Sequence, residues 1–273
     1  MTEDRREAAS LMSYVLGRDR SFILGHADDS INEEQLEVFR QYVERRTQRE
    51  PLQYITGHQE FYGLDFEVTR DVLIPRPETE LLVEEAIKLS KAGGEAPFIC
   101  DVGTGSGCIA ITILHELREF PEARAVALDV SNAALSVAKR NASRYSLAQR
   151  IEFVVSDCFA SLDHTRGYRP FDLIVSNPPY VAETSFASLQ QEVRDFEPRT
   201  ALTAGADGLL IIRRLLFEAG NFLKRGGHFL FEIGFDQSTA VQQLINEDRW
   251  KLLNIHEDLQ GIPRTVSLQK LPD

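Results

Sequence analysis

The residues best placed for chemistry in this sequence are Asn177-Pro178-Pro179-Tyr180, which end an apolar run at 171–176. The run is typical of a buried strand, and two prolines end it because neither has an N–H for a sheet ladder. Since Asn177 precedes a proline, its backbone is biased to be extended. A carboxamide, backbone carbonyls and an aromatic ring thus lie at a strand's carboxyl end, where open α/β sheets bind ligands. This corner suits a planar NH2 group, although a turn capped by an aromatic is the alternative for the motif alone.

A glycine-rich motif follows the predicted strand at 97–102. It reads Asp101-Val102-Gly103-Thr104-Gly105-Ser106-Gly107. Glycines let the backbone turn sharply and approach a ligand closely. The dinucleotide fingerprint requires a glycine where Cys108 stands, and a P-loop is excluded because no Gly-Lys-Ser/Thr follows. The spacing matches a loop around a methionine-bearing nucleoside, which the residues Gly103 to Gly107 are predicted to contact.

Acidic residues follow the next two predicted strands. Asp129 can hold two ribose hydroxyls through charge-assisted hydrogen bonds. Asp157 is predicted to accept the adenine amine, with Cys158 or Phe159 against the ring. Each acid alone is also explained as a helix N-cap, including Asp129 before Ser131. Together with the glycine loop, the two acids indicate binding of S-adenosylmethionine.

Strand and helix alternate from residue 97 onward, which indicates a doubly wound sheet. The predicted strands are 97–102, 124–128, 151–155, 171–175, 228–233, 251–256 and 264–270. The predicted helices are 107–119, 132–144, 208–223 and 238–247. No helix separates the last two strands, so they are expected to pair antiparallel. This α/β pattern is the layout of the class I S-adenosylmethionine-dependent methyltransferase fold, a Rossmann-like seven-stranded sheet.

The region before the sheet has a different pattern. Apolar residues recur at helical spacing in residues 8–16, and Ser30 begins a stretch that resembles a capping box. Residues 61–68 are aromatic and strand-like, which predicts a hairpin, and a helix is predicted to start near Thr79. The predicted domains are a small helical domain at 1–52, a linker with a β-hairpin at 53–76 and the methyltransferase domain at 77–273.

Composition narrows the class of protein. The chain has 273 residues, of which 43% are hydrophobic and 26% charged, an ordinary globular balance. A net charge of −12 weighs against binding nucleic acid through the whole surface. Three separated cysteines and six scattered histidines predict no metal site and no disulfide framework. With a charged N-terminus and no apolar run of about 18 residues, we expect a cytoplasmic protein without membrane contact.

The sequence resembles the PrmC/HemK family of protein-(glutamine-N5) methyltransferases over nearly its whole length. The resemblance rests on residues 51–57, 60–64, 74–80, 101–107, 176–180, 196–202, 207–209 and 232–234. The Asn-Pro-Pro-Tyr motif is shared with DNA adenine methyltransferases, whereas segments 51–57 and 74–80 are more specific. Cys158 departs from the family pattern, which often has a large aromatic residue beside the adenine.

The resemblance implies S-adenosylmethionine as cofactor, S-adenosylhomocysteine as product, and a substrate: the glutamine of the Gly-Gly-Gln motif in class I peptide chain release factors. As a hypothesis, the Asn177 side-chain oxygen and the Pro178 carbonyl accept the two N–H groups of that amide. Tyr180 would pack on the amide plane, Pro179 completes the substrate site, and Asn177 also borders the cofactor. Asn177, Pro178 and Tyr180 are then the catalytic residues. The N-terminal helical domain is implied to hold the release factor, and a monomer is expected.

Two other functions fit parts of the pattern. A nucleic-acid amino-methyltransferase needs a basic stacking surface, which the acidic composition disfavours. A non-catalytic cofactor-binding protein has no need of the Asn177 corner. Glu197 is either a structural hydrogen-bond partner or a substrate contact, and Glu232 is predicted to be structural. Arg76 and Glu78 either shape the edge of the site or tie the linker to the sheet domain.

Overall fold

Contacts divide the chain into two units. The computed structural model describes residues 3–162 and 168–272. Unit 1 comprises Met1–His58 and Leu189–Phe196, and unit 2 comprises Gln59–Ser188 and Glu197–Asp273. Unit 1 includes residues 53–58 and the distant segment 189–196 because both contact the N-terminal helices, and unit 2 includes residues 59–76. The domain boundaries at 52 and 76 stay a prediction. Residues 1 and 2 of the predicted first domain lie outside the described residues.

Unit 1 is helical. Its helices are α1 (Glu3–Leu16), α2 (Arg20–Gly25), α3 (Glu33–Thr47), α4 (Leu52–Thr56) and α8 (Gln191–Phe196). The α3 capping box starts at Asn32, whose side chain accepts from the Gln35 N–H at 2.8 Å while Gln35 Oε1 accepts from the Asn32 N–H. The predicted capping box at Ser30 is therefore wrong by two residues. Arg46 on α3 donates to Glu7 of α1 and to Glu192 of α8, which ties segment 189–196 into the unit.

Unit 2 contains a large sheet and its flanking helices. The hairpin pairs β1 (His58–Phe61) with β2 (Leu64–Glu67). The sheet strands are β3 (Phe98–Val102), β4 (Arg124–Asp129), β5 (Ile151–Val155), β6 (Phe171–Ser176), β7 (Leu223–Glu232), β8 (Trp250–Glu257) and β9 (Pro263–Lys270). The helices are α5 (Glu80–Ala92), α6 (Cys108–Glu116), α7 (Asn132–Arg144), α9 (Leu210–Glu218) and α10 (Ser238–Leu244). A short 3-10 turn at Pro77–Thr79 leads into α5.

The sheet has the order β5-β4-β3-β6-β7-β9-β8. Strands β3 to β7 pair in parallel, and β9 runs antiparallel to both β7 and β8. The prediction of a doubly wound sheet that ends in antiparallel strands is confirmed. The order in which strands join the sheet reverses between β3 and β6, since β4 and β5 lie on one side of β3 and β6 and β7 on the other. The carboxyl ends of parallel strands at such a switch point form a crevice that binds ligands.

The sheet is buried because both of its faces carry apolar layers. One layer includes Leu82 and Val83 of α5 and Ile111 of α6, and the other includes Ile212 and Leu215 of α9. Strands covered on both faces read as continuous apolar runs, as β3 and β6 do. No helix within residues 3–162 and 168–272 has the length and apolarity needed to cross a bilayer.

Candidate active site

The carboxyl ends of β3, β4, β5 and β6 border a cleft of about 1050 Å³, with the space open to solvent included. The predicted site residues that line it are Gly103, Thr104, Gly105, Ser106, Asp129, Asp157, Cys158, Asn177, Pro178 and Pro179. Gly107 and Tyr180 are not among the described lining residues. Arg76, which was predicted either to shape the edge of the site or to tie the linker to the sheet domain, lines the cleft, and so does Thr79, for which no role was predicted.

The three glycines of the loop have different surroundings. Gly103, Gly105 and Gly107 all have positive φ, at 76°, 55° and 82°, which other residues adopt at a cost. A Cβ atom on Gly103 or Gly105 would meet open space, whereas one on Gly107 would lie 2.8 Å from Ile111 Cδ1. Gly107 therefore permits α6 to pack. The other two leave backbone accessible in the cleft, as a bound cofactor requires.

Asp101 at the end of β3 holds the glycine loop in place through hydrogen bonds. It is fully buried, and its Oδ2 accepts from Thr104 Oγ1 at 2.6 Å and from the Ala110 N–H at 3.3 Å. Among the described residues, its Oδ1 has no hydrogen-bond partner. Burial raises the pKa of Asp101 to about 7, with the hydrogen bonds opposing the shift. The glycine loop is therefore bound by one oxygen of the Asp101 carboxyl group, while its Oδ1 accepts no hydrogen bond from the described residues.

Asp129 ends β4 opposite the glycine loop. Its Oδ2 accepts from the Gly105 N–H at 2.9 Å and its Oδ1 from the Ser131 N–H at 2.8 Å. Ser131 is the N-cap of α7, so the alternative that Asp129 caps this helix is wrong. Burial raises the pKa of Asp129. Each carboxylate oxygen keeps a lone pair, so the group can still accept the two ribose hydroxyls.

The end of β5 supplies an acid and an apolar wall. Asp157 is exposed and is ion-paired with Arg214 of α9, at 2.8 and 3.0 Å. The pair leaves acceptor capacity on the carboxylate, so its adenine contact stays a prediction. Cys158 is buried with φ at 48°, and burial raises the pKa of its thiol to about 11, which keeps it neutral. Phe159 instead stacks on Phe222, which leaves Cys158 as the cleft residue of the two proposed.

The corner after β6 belongs to a chain of hydrogen bonds that the sequence did not reveal. Asn177 Nδ2 donates to Thr79 Oγ1 at 3.0 Å, and Thr79 Oγ1 donates to Glu232 Oε2 at 2.6 Å. The Tyr180 hydroxyl donates to the other oxygen of Glu232 at 3.2 Å. Thr79 and Glu232 are 2% and 1% exposed. Thr79 therefore binds the Asn177 nitrogen, and the Tyr180 hydroxyl is directed toward Glu232. The packing of the Tyr180 ring on a substrate amide stays a prediction.

Another buried acid, Glu197, holds Arg76 at the edge of the cleft. Glu197 accepts from the Arg76 guanidinium and from the Ile74 N–H. Burial raises the pKa of Glu197, against the opposing charge of Arg76. Arg76 lines the cleft, whereas Glu197 is not among its described lining residues. Of the two predicted roles for Glu197, the geometry supports the structural one.

The residues that line the cleft fit S-adenosylmethionine. Two open glycines, the Asp129 carboxylate and the apolar Cys158 surround one cleft, and the Asn177 corner borders it. Within the described chain, no group of three or more His, Cys, Asp or Glu side chains is arranged to hold a metal ion. The fold and the cleft together define a class I S-adenosylmethionine-dependent methyltransferase.

Comparison with known proteins supports this class. The N-terminal domain of human METTL16 in complex with SAH has a TM-score of 0.54 at 19% identity, with 78% of this chain and 77% of that chain covered. Residues 1–57 match the family model of the PrmC N-terminal domain, and residues 77–195 match that of the methyltransferase small domain.

Curated relatives are closer in sequence. The release factor glutamine methyltransferase of Koribacter versatilis is 42% identical, with 96% of this chain and 90% of that protein covered. The protein of the same name from Chlorobaculum tepidum is also 42% identical, with 97% and 90% covered. The chain belongs to the release factor glutamine methyltransferase family.

Proposed function

We propose that this protein transfers a methyl group from S-adenosylmethionine to the side-chain amide nitrogen of the glutamine in the Gly-Gly-Gln motif of class I peptide chain release factors. Family membership supports the release factor as substrate. The observation that carries the chemistry is that Asn177 and the glycine loop line one cleft.

S-adenosylmethionine, when bound, supplies an electrophilic methyl group on its sulfonium. Gly103 and Gly105, where a Cβ atom would meet open space, would let the backbone approach the cofactor, and Asp129 would accept its ribose hydroxyls. Asp157 and Cys158 line the same cleft and would border the adenine. The product is S-adenosylhomocysteine.

Asn177 aims the substrate amide. An amide nitrogen is a poor nucleophile because its lone pair is delocalised into the carbonyl. The Asn177 Nδ2 is engaged by Thr79, so Oδ1 is the atom available to accept one substrate N–H. The Pro178 carbonyl accepts the other. Holding the nitrogen in line with the methyl group is worth several kcal/mol of the barrier.

No general base has to act before the transfer. Transfer of the methyl group to the neutral amide nitrogen gives a cation whose nitrogen still carries two protons. This cation is strongly acidic, so one of the protons can leave to water afterwards. The Tyr180 hydroxyl is an unsuitable base, because burial first and the neighbouring Glu232 second raise its pKa well above the ordinary value. Catalysis is assigned to positioning, with Asn177 and Pro178 contacting the substrate.

Unit 1 is proposed to dock the release factor. It matches the family's N-terminal domain and carries no group from the predicted catalytic or cofactor sets. We also propose that the protein acts as a monomer in the cytoplasm, without direct contact with nucleic acid or membrane. Its three cysteines are free and buried, which fits a reducing compartment.

One labelling experiment tests the proposed substrate. The protein is incubated with methyl-labelled S-adenosylmethionine and, separately, with a class I release factor, the same factor with its motif glutamine replaced, and total RNA or DNA. We expect label only in the unmodified release factor. Label in nucleic acid, or in both release factors equally, would overturn the proposal.

A further inference from the structure

The Asn177 carboxamide is connected to two buried side chains from distant parts of the sequence. Thr79 ends the 3-10 turn before α5, and Glu232 ends β7. The three side chains form a continuous chain from Asn177 Nδ2 to Thr79 Oγ1 and on to Glu232 Oε2. We propose that Thr79 and Glu232 are positioning residues that hold the Asn177 carboxamide with its oxygen toward the substrate; this rests on the proposed function.

The number of protons on each group determines which atom donates and which accepts in the hydrogen bonds that join Asn177, Thr79 and Glu232. A threonine hydroxyl has one proton to donate and two lone pairs to accept with. An ionised carboxylate only accepts, so the Thr79 proton is directed to Glu232 at 2.6 Å. Thr79 Oγ1 can then only accept from Asn177, which requires the NH2 side of the carboxamide. The Asn177 oxygen is left for an N–H donor in the cleft, which is what a glutamine amide supplies.

Both supports of the chain are held in place. The Thr79 backbone N–H donates to the Arg76 carbonyl at 3.0 Å, and Glu232 pairs with Thr265 across β7 and β9. The Tyr180 hydroxyl fills the second oxygen of Glu232 at 3.2 Å. Glu232 therefore has one oxygen committed to Thr79. A carboxamide oriented by such a chain does not rotate to present its NH2 group, which would repel the substrate's own N–H.

The hydrogen bonds that orient the Asn177 carboxamide depend on pH, because Glu232 can be protonated. Burial raises the pKa of Glu232 to about 7, against the hydrogen bonds from Thr79 and Tyr180 and the charge of Arg264. Glu78 raises it further, and Glu232 in turn raises the pKa of Cys108. Below that pH the carboxyl gains a proton and can donate to Thr79. The Thr79 proton is then released toward Asn177, so methyl transfer should slow as pH falls through about 7.

The test compares Thr79→Val with Thr79→Ser in single-turnover methylation of a release factor. Valine keeps the shape and removes the hydroxyl, whereas serine keeps the hydroxyl. We expect Thr79→Val to slow the transfer about tenfold or more, because small errors of alignment have large effects on rate. Thr79→Ser should stay within about threefold of the wild type, which is under 1 kcal/mol. Affinity for S-adenosylmethionine, measured by calorimetry, should change by less than about threefold in both.

Glu232→Gln supplies an independent readout if Thr79→Val does not fold. Rates are measured from about pH 6 to 8 at saturating S-adenosylmethionine, so that titration of Asp101 in the loop does not enter through cofactor binding. The wild-type rate should rise through about pH 7, and the Glu232→Gln rate should not change across this range, because glutamine does not titrate. A pH profile that Glu232→Gln leaves unchanged would overturn the inference.

Asn177→Ala separates this inference from the proposed function. If Asn177→Ala abolishes transfer while a folded Thr79→Val is as fast as the wild type, the positioning chain is wrong and the aiming role of Asn177 stands. If Asn177→Ala transfers at the wild-type rate, the proposed function of Asn177 fails first. A loss in Thr79→Val that is matched by an equal loss of cofactor affinity would also contradict the inference.

Discussion

The reactivity assigned to this cleft depends on one carboxamide whose two ends have different partners. The Asn177 nitrogen is bound by Thr79, and its oxygen is the end left for a substrate. The acids around the cleft differ in the same way, since Asp129 is held by backbone N–H groups and Asp157 by Arg214. The chemical role of each residue therefore follows from its partners more than from its type.

At this scale, the glycine loop gives a matched pair of substitutions. Gly105→Ala places a Cβ in open cleft space at φ 55°, so it should weaken S-adenosylmethionine binding about tenfold, with a stability loss of about 1 kcal/mol. Gly107→Ala places it 2.8 Å from Ile111 Cδ1 and 3.1 Å from Ala138 Cβ, which should lower the free energy of unfolding by about 1–3 kcal/mol. Denaturant unfolding and calorimetry check both. Equal effects of the two variants on affinity would contradict the assigned roles.

At the scale of elements, the strand ends position the site, and the strands were predictable where they are apolar. Residues 97–102 and 171–175 differ by a residue or less from the observed β3 and β6. The start of β7 at Leu223 was missed by five residues, because Lys224, Arg225, Gly226 and Gly227 are not typical of a strand. Parallel pairing with β6, interrupted by a register shift after Phe171, accounts for that extension. Tertiary pairing overrode local propensity there.

The candidate site also has a part that the sequence predicted and a part that it did not. The sequence predicted the glycine loop and Asn177 because each is a continuous motif. It did not predict the hydrogen bonds that connect Asn177 to Thr79 and Glu232. Thr79 lies 98 residues before Asn177, and Glu232 lies 55 residues after it. A hydroxyl before a helix and an acid at a strand end each look structural in isolation. Only the three-dimensional fold brings them together.

The α3 capping box gives a prediction at this scale. Asn32→Ala removes the acceptor for the Gln35 N–H and should lower the free energy of unfolding by about 1 kcal/mol. Ser30→Ala, at the position that the sequence pattern favoured, should change it by less than about 0.5 kcal/mol. Urea unfolding of the two variants provides the comparison. The reverse order would show that the cap lies at Ser30.

At the scale of the whole molecule, segment 189–196 is grouped with the N-terminal helices although it lies within the second half of the chain. Arg46 holds it, with a side chain 17% exposed that reaches Glu192 at 2.8 Å and Glu7 at 2.7 Å. The helical unit thus includes a piece of chain from the second half of the sequence.

Arg46→Gln should destabilise unit 1 by more than about 1 kcal/mol, because it leaves two half-buried carboxylates without their shared cation. Arg49→Gln is the matched control: Arg49 is 64% exposed and lies 4.0 Å from Glu192, so its loss should cost less than about 0.5 kcal/mol. Limited proteolysis should cut near 189–196 faster in Arg46→Gln alone. Equal cutting in both variants would refute the role of Arg46.

The central claim concerns one nitrogen atom, and tandem mass spectrometry can locate the methyl group on it. A class I release factor is incubated with S-adenosylmethionine and either the wild-type protein or Asn177→Ala. The wild type should place one methyl group on the side-chain nitrogen of the Gly-Gly-Gln glutamine, and Asn177→Ala should leave that glutamine unmodified after the same time. Methyl on any other residue, or equal yields from the two proteins, would contradict the account.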